Sequence, residues 1–537
     1  MWRRRKDPPG EGGVRIPDTQ GKKADPEAGG EVYVESVRHK ARLQIVFTAV
    51  LFSALFVVMT VCFCRYAIAN RRVLFDNDYN ERDALLEEHN RRGRILAYED
   101  GELRELAVSD NENHRTYPYG EQFCHVVGFS AMGGSGIDEY MKYELLHSDI
   151  PFESKLVCDS EEERYPGNDV YTTLDVTMQK YAYEAMTEEG HYGAVIVTEP
   201  STGKILAMVS TPGFEPDTVS EEWYWDYLRT NQSGNSQLVN RATQGLYAPG
   251  STFKIVDAIE LLQEDPSAIY SFRFDCVDGE YSYDGENIHC FEDTRTHRYE
   301  VHGKQTLAEA FAHSCNSAFS KIVTEMLDEK RFRKTLKKLL FDSELPYDLP
   351  YSESHSQLLE DGEISVHNLM QVAIGQGTTG VSPLHMNMIT MAVANGGVLM
   401  RPYLIDRVCT AEDVLLQQYN PRQAAALMDS DTADMVRQLM RSVTQVTRSE
   451  LTGRDVWGTA SEFADTREYY AFGKTGTAEF GDDNDSHAWF TGFSVDAENT
   501  EDGKPDLCIT VLIENGGVGS DKAVPVAKKI LDRWYGE

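Results

Sequence analysis

The 22 residues from Leu43 to Cys64, LQIVFTAVLFSALFVVMTVCFC, carry no charged side chain. A helix of that length crosses a hydrocarbon core of roughly 30 Å, so residues 43–64 are expected to pass once through a membrane. The rest of the chain is then divided between its two sides. A cleaved secretory signal is the competing reading, and it fits poorly. Such signals place a shorter apolar run nearer the N-terminus and close it with small residues at a cleavage site. Orientation is almost a tie: Arg38, Lys40 and Arg42 on one flank face Arg65, Arg71 and Arg72 on the other. Only Arg3, Arg4, Arg5, Lys6, Lys22 and Lys23 tilt the positive-inside rule towards a cytoplasmic N-terminus, leaving residues 65–537 on the outer side.

Charge narrows the partners. Against 52 Lys and Arg stand 87 Asp and Glu, a formal net charge of -35, which disfavours nucleic acid or an acidic lipid surface as a ligand of the folded part. With 537 residues, 41 % of them hydrophobic, the chain can bury a large core. Nine cysteines are too few for a disulfide framework and show no zinc-site spacing. Cys276 and Cys290 bracket a turn-rich stretch, CVDGEYSYDGENIHC, and are either a disulfide or two separate thiols.

Residues 1–42 precede the membrane segment. Rich in Gly, Pro and charge, and without apolar periodicity over 1–37, they read as a flexible cytoplasmic tail. Residues 65–165 are polar and irregular and suggest a small extended accessory domain, with the main domain over 166–537. There a helical stretch (Val176 to Glu188) leads into two apolar runs, Gly193 to Glu199 and Lys204 to Ser210, joined by a Pro-Ser-Thr-Gly turn as a hairpin. Helical patterns dominate from about 251 to 450. Strand-like runs return at Tyr469 to Phe480, Ala488 to Val495 and Leu507 to Glu514, followed by a helical run from Ala523 to Tyr535. Strands at both ends of a helical middle predict an α/β fold of α+β type. Distant segments would form one sheet packed on helices.

Three short motifs carry chemistry. In YAPGSTFKIVDAIELL, Pro249-Gly250 stops the preceding chain and Ser251 opens an apolar helix that must end before Pro266. Lys254 lies about one turn further on the same face. A lysine desolvated there loses basicity and can accept the serine proton, without which a hydroxyl is a poor nucleophile. Ser201-Thr-Gly-Lys204 has the same spacing, but it sits in the hairpin turn and is read as structural. Ser314-Cys315-Asn316 follows a helix opened by a capping box at Thr306 and Glu309 and precedes a second helix from Ser317 to about Leu327. Its hydroxyl and amide can relay a proton and hold a substrate amide, whereas the copies at Ser109 and Ser233 lie in loop-like stretches. Cys315 itself reads as packing. Lys474-Thr475-Gly476-Thr477 lies in a strand-like run, where a cation and two hydroxyls suit a carboxylate and Gly476 lets a substrate backbone approach. A phosphate-binding loop needs an upstream glycine and a following helix; Tyr469 and a strand stand there instead. His487 reads as a structural strand residue, and Trp489 and Phe490 as core or groove wall.

In this order and spacing, the three motifs resemble those of penicillin-binding proteins and serine β-lactamases. The flanks YAPGSTFK, GKTGTAEF and HAWFTGF, the stretch AIGQGTTGVSPLHM and the hairpin GAVIVTEPSTGKILAMVSTPGFEPD resemble the class B, monofunctional members, of the penicillin-binding protein A type, over about residues 75–537. RRGRIL and RTYPYGEQFCHVVGFS resemble their membrane-proximal pedestal. The resemblance implies the penicillin-binding transpeptidase and serine β-lactamase-like fold, a central antiparallel sheet with helices on both faces, and a peptidoglycan D,D-transpeptidase that β-lactams acylate. Ser251 would attack the carbonyl between the two terminal D-alanines of a stem peptide, with Lys254 as base. Ser314 and Asn316 would shuttle protons and order the lysine, and Lys474, Thr475 and Thr477 would hold the terminal carboxylate. The backbone N–H groups of Ser251 and Thr477 would form the oxyanion hole. It further implies a polytopic glycan polymerase as partner and no metal or organic cofactor. A D,D-carboxypeptidase, a β-lactam-hydrolysing or -sensing protein and a non-catalytic scaffold of the division machinery are the rival functions.

Overall fold

A computed structural model describes residues 26–69, 82–230, 236–293, 298–479, 486–498 and 504–536. It contains two compact units, residues 1–80 and 81–537. In the first, helix α1 (Pro26–Ala69) includes a 29-residue span, Arg38–Tyr66, none of which is covered by protein. Phe47, Phe52, Phe56 and Phe63 all stand exposed on it. At about 1.5 Å per residue this span exceeds the hydrocarbon core, and an uncovered helix apolar on all sides suits lipid. Among the described residues it is the one helix long and apolar enough to cross a membrane, and it fits a single-pass anchor. Residues 26–37 continue the helix, where composition predicts flexible chain; once the apolar span nucleates a helix, extending it costs little.

The second unit is organised on a five-stranded sheet. Helix α2 (Val176–Thr187) precedes the hairpin of β1 (Gly193–Thr198) and β2 (Ile205–Thr211). Helices α3 (Lys254–Glu264), α4 (Leu307–Ala312), α5 (Asn316–Lys321), α6 (Pro383–Ala394) and α7 (Ser430–Val443) follow. The chain closes with β3 (Tyr469–Glu479), β4 (Ser486–Asp496), β5 (Leu507–Ile513) and helix α8 (Gly519–Gly536). Sheet order is β3-β4-β5-β1-β2, antiparallel throughout, with Ile513 opposite Gly193 and Cys508 opposite Thr198. Strands distant in sequence are thus neighbours, as the pattern of strand-like runs predicts, and β3 is an edge.

Helices cover both faces. On one, Asn387 and Thr390 of α6 bond across to the sheet, through Thr198 Oγ1 at 2.9 Å and Thr491 Oγ1 at 2.7 Å. On the other, Tyr535 of α8 lies 2.9 Å from Ser494 Oγ and stacks on Tyr469. With no face open to water the strands read as continuous apolar runs; every residue of β1 and β5 is buried.

A second, six-stranded sheet crosses the expected boundary at residue 165. In it Asp169–Asp175 runs parallel to Ile95–Glu99 and antiparallel to Ile405–Cys409. The accessory region is therefore packed into the unit rather than extended. Helices dominate 251–450 as expected, but short strands interrupt them. Among the described residues, short strands lie at Phe274–Cys276, Glu280–Tyr283, Glu286–His289 and Gly303–Gln305, and again between Val398 and Ala426. Runs of three to five residues are at or near the shortest over which period-two alternation becomes visible.

Candidate active site

Pro249 and Gly250 turn the chain into a single 3-10 turn, Gly250–Phe253, that feeds α3. Gly250 has φ 54°, and a Cβ there would lie 2.5 Å from the carbonyl oxygen of Thr477. Only glycine allows the turn to seat against β3. Helix α3 ends at Glu264, before Pro266 as expected. The turn presents Ser251, partly exposed, above Lys254, which is fully buried.

The capping box at Thr306 and Glu309 forms, and α4 ends into Ser314, whose φ of 56° is left-handed. A side chain in that region costs on the order of 1–3 kcal/mol and is held there only by its surroundings. Here it points two groups of Ser314 at two lysines. Lys254 Nζ donates to Ser314 O at 2.7 Å and to Asn316 Oδ1 at 2.7 Å, and lies 2.9 Å from Ser251 Oγ and 3.3 Å from Ser314 Oγ. Lys474 Nζ donates to Ser314 Oγ at 2.8 Å and to Thr475 O at 3.0 Å. Asn316 is fixed in turn, donating through Nδ2 to His289 O at 2.9 Å.

Burial, partly offset by neighbouring negative charge, brings Lys254 down to about 8. Lys474 is fully buried, and burial followed by repulsion from Lys254 holds it well below its ordinary value. Neither Nζ is hydrogen-bonded to a carboxylate, and Asp257 acts on Lys254 too weakly to offset burial, so both favour the neutral amine.

The cleft in front of these groups has a volume of about 720 Å³ and is lined by Ser251, Ser314, Asn316, Thr475 and Thr477 among others. All eight sequence-derived residues therefore converge, with two adjustments. Lys474 Nζ lies behind Ser314, so it acts on the cleft through that hydroxyl rather than by contact. Gly476 faces protein: a Cβ there would come within 2.9 Å of Pro249 O and 3.0 Å of Thr252 Cγ2, so its missing side chain serves strand-to-turn packing.

The duplicate patterns fall elsewhere. Ser201 is exposed in the hairpin turn, where Thr202 bonds Glu199 Oε2 at 2.6 Å. Ser109 is buried beside Arg115 at the end of a strand, and Ser233 lies outside the described residues. His487 accepts from the N–H of Asn515 and packs edge-on against Tyr247, a structural role. Trp489 and Phe490 are core. Cys276 and Cys290 are separate thiols, their Sγ atoms 3.8 Å apart, so they form no disulfide.

Two further residues of the site have no chemical signal of their own in the sequence. Thr459 Oγ1 lies 2.6 Å from Thr475 Oγ1. Gln376, with its amide oriented to satisfy both bonds, pairs with the backbone N–H and C=O of Glu479 at 3.0 Å each. Gln376 falls within AIGQGTTG, a stretch marked only by its family resemblance; nothing local marks Thr459.

The penicillin binding protein transpeptidase domain family matches residues 193–532. The peptidoglycan D,D-transpeptidase PbpA of Mycolicibacterium smegmatis is 28 % identical over 501 residues, covering 86 % of this chain and 90 % of the relative. The peptidoglycan D,D-transpeptidase MrdA of Acinetobacter baumannii is 26 % identical, covering 78 % of this chain and 66 % of its own length. Among solved structures, penicillin-binding protein A from M. tuberculosis as a ceftriaxone acyl-enzyme complex matches with a TM-score of 0.70 at 25 % identity, over 83 % of this chain and 98 % of that one. The D,D-transpeptidase domain of a peptidoglycan glycosyltransferase from Eggerthella lenta matches at 0.68 and 30 % identity, over 83 % and 99 %. A family match over residues 193–532, well over half of the chain, on a sheet and cleft that carry all three motifs, makes this protein a member of the penicillin-binding protein transpeptidase family.

Proposed function

We propose that the chain is a membrane-anchored peptidoglycan D,D-transpeptidase with Ser251 as nucleophile. The carrying observation is the surroundings of Lys254 Nζ. Ser314 O and Asn316 Oδ1, both at 2.7 Å, are carbonyl oxygens that can only accept. A neutral amine donates its two N–H bonds to them and turns its lone pair to the Ser251 hydroxyl 2.9 Å away. That is the geometry of a general base.

Ser251 Oγ then forms an ester with the penultimate D-alanine carbonyl while Lys254 takes its proton. The C–N bond breaks, and the proton passes through Ser314 Oγ, shared by Lys254 and Lys474, to the departing D-alanine amine. An amine of a second stem takes the acyl group and regenerates Ser251. A β-lactam follows the first half, its ring nitrogen staying tethered to the acyl group. Thr477 supports the oxyanion role. Its carbonyl faces Gly250, and in a strand a residue's N–H and C=O point to the same edge, so its N–H also faces the nucleophile. Thr475, Thr477 and the charge of Lys474 receive the terminal carboxylate, which would itself raise the Lys474 pKa.

In this reading α1 crosses the cytoplasmic membrane with its N-terminus inside. Residues 65–165 act as a pedestal, residues 166–537 carry out the transfer beyond the membrane, and a polytopic glycan polymerase supplies the strands. The test is intact-protein mass of the full-length chain in detergent after benzylpenicillin, alongside Ser251→Ala and Ser201→Ala. A persistent single adduct on the parent and on Ser201→Ala, absent from Ser251→Ala, supports the reading. Rapid drug turnover without adduct points to a β-lactamase, and a folded parent that neither binds nor consumes the drug points to a scaffold. D-Alanine release from a pentapeptide without acceptor transfer points to a carboxypeptidase.

A further inference from the structure

Behind the Ser314–Asn316 loop, four side chains meet from four separate segments. Cys276 ends the strand Phe274–Cys276, which pairs with Gly303–Gln305, and His302 directly precedes that partner. Cys290 follows the strand Glu286–His289, and Cys315 is the middle residue of the catalytic loop. Their ligand atoms all lie within 4.8 Å of one another. Cys276 Sγ is 3.8 Å from Cys290 Sγ and 3.6 Å from His302 Nδ1, and Cys290 Sγ is 3.7 Å from Cys315 Sγ.

These distances match a metal. Tetrahedral zinc with Zn–S of about 2.3 Å and Zn–N of about 2.0–2.1 Å places neighbouring sulfurs about 3.8 Å apart and sulfur from nitrogen about 3.5 Å. The three thiols are buried. The other ring nitrogen of His302, Nε2, lies 3.4 Å from Glu300 Oε2, the carboxylate that commonly orients a ligating imidazole from outside. We infer that Cys276, Cys290, His302 and Cys315 form a structural zinc site that clamps the catalytic Ser314–Asn316 loop to the small-strand insertion at residues 274–305. Three soft thiolates and one imidazole, with no open position, favour Zn²⁺ over the hard cations. The ligands are 14, 26 and 25 residues apart in the pairs Cys276–Cys290, Cys276–His302 and Cys290–Cys315, so no short zinc motif appears in the sequence.

The site also gives Cys315 a role. Cys315 lies between the two residues that hold Lys254, and Cys290 adjoins His289, whose carbonyl anchors Asn316. A metal at the cluster would fix both sides of that amide.

The test measures metal on the full-length chain, purified in detergent with reducing agent and dialysed against metal-free buffer. One zinc per chain is expected by elemental analysis, together with intense sulfur-to-metal charge-transfer bands after cobalt(II) replacement. Cys276→Ser and His302→Ala are each expected to lower retained zinc at least about tenfold, while Cys158→Ser, on an unrelated helix, leaves it unchanged. Because a ligand variant can unfold, the parent is also stripped with a chelator. Reloading with zinc alone should then restore both the metal signal and the benzylpenicillin acylation rate. The acylation arm rests on the transpeptidase reading; zinc content and cobalt spectrum do not. A folded parent that holds neither zinc nor cobalt with its thiols reduced overturns the inference. So does protein isolated without reductant that shows, by mass, a disulfide among Cys276, Cys290 and Cys315.

Discussion

Arg92, Arg115 and Asp138 are buried together beside the first strands of the catalytic unit, and Lys254 and Lys474 are buried together at the cleft, yet the two groups obey opposite rules. Asp138 is fully buried and accepts from Arg92 Nε at 2.7 Å, Arg115 Nε at 3.0 Å and the Tyr117 hydroxyl at 2.8 Å. Burial alone would raise its pKa, but Arg115 and Arg92 outweigh that and hold it below 3.8. At the cleft two amines share one serine hydroxyl, and no carboxylate bonds either of them. A cluster that satisfies its charges serves the fold, whereas one that leaves its amines short of a counter-charge keeps a base ready.

Loss of the cleft base should produce the largest effect. Lys254→Ala is expected to slow benzylpenicillin acylation on the order of 10²–10⁴-fold, the scale of a lost general base, with thermal stability unchanged or improved. Mass spectrometry and a melting curve together check both halves. Next comes the compensated cluster. Asp138→Ala strands two buried guanidinium groups and should destabilise the unit by about 3–5 kcal/mol, read in denaturant. If it proves neutral, the contrast between the clusters fails. Lys474→Met sharpens it: acylation should fall on the order of 10²-fold, as for a lost electrostatic stabiliser, while the melting temperature holds or rises.

The pH profile is a smaller effect with a definite sign. Lys254 titrates at about 8, so the neutral base accumulates as pH rises. Acylation should climb roughly tenfold per unit below that value and level off above it. Asp138 acts in the same direction, but on stability and at lower pH: its depressed pKa contributes stability that is present above the ordinary carboxylate value and lost as pH falls through the folded value. A rate that declines as pH rises towards the Lys254 value would remove Lys254 from the base role. The smallest effect is Ser201→Ala, an exposed turn residue, expected within about 0.5 kcal/mol of the parent in stability and unchanged in acylation.

Features set by near neighbours in the chain are legible in the amino-acid sequence. The apolar span, the Pro-Ser-Thr-Gly hairpin, the end of α3 before Pro266 and the capping box of Thr306 and Glu309 all depend on residues a turn or a strand apart. The three motifs are readable because each is contiguous and lies on a recognisable element. The strands between Phe274 and Gln305 are not, since two to four residues are too short to show a period and depend on partners up to about 30 positions away.

The sequence alone determined that the chain has an apolar anchor, a sheet assembled from distant segments and a serine with a lysine one turn behind it. Only tertiary structure decided that Lys254 meets Ser314 and Asn316, that Lys474 stands behind Ser314, and that Cys276, Cys290, His302 and Cys315 converge. Local periodicity and capping act over a few residues. Burial, the basicity of an amine and the meeting of four ligands depend on segments brought together by packing, and no local pattern encodes those distances.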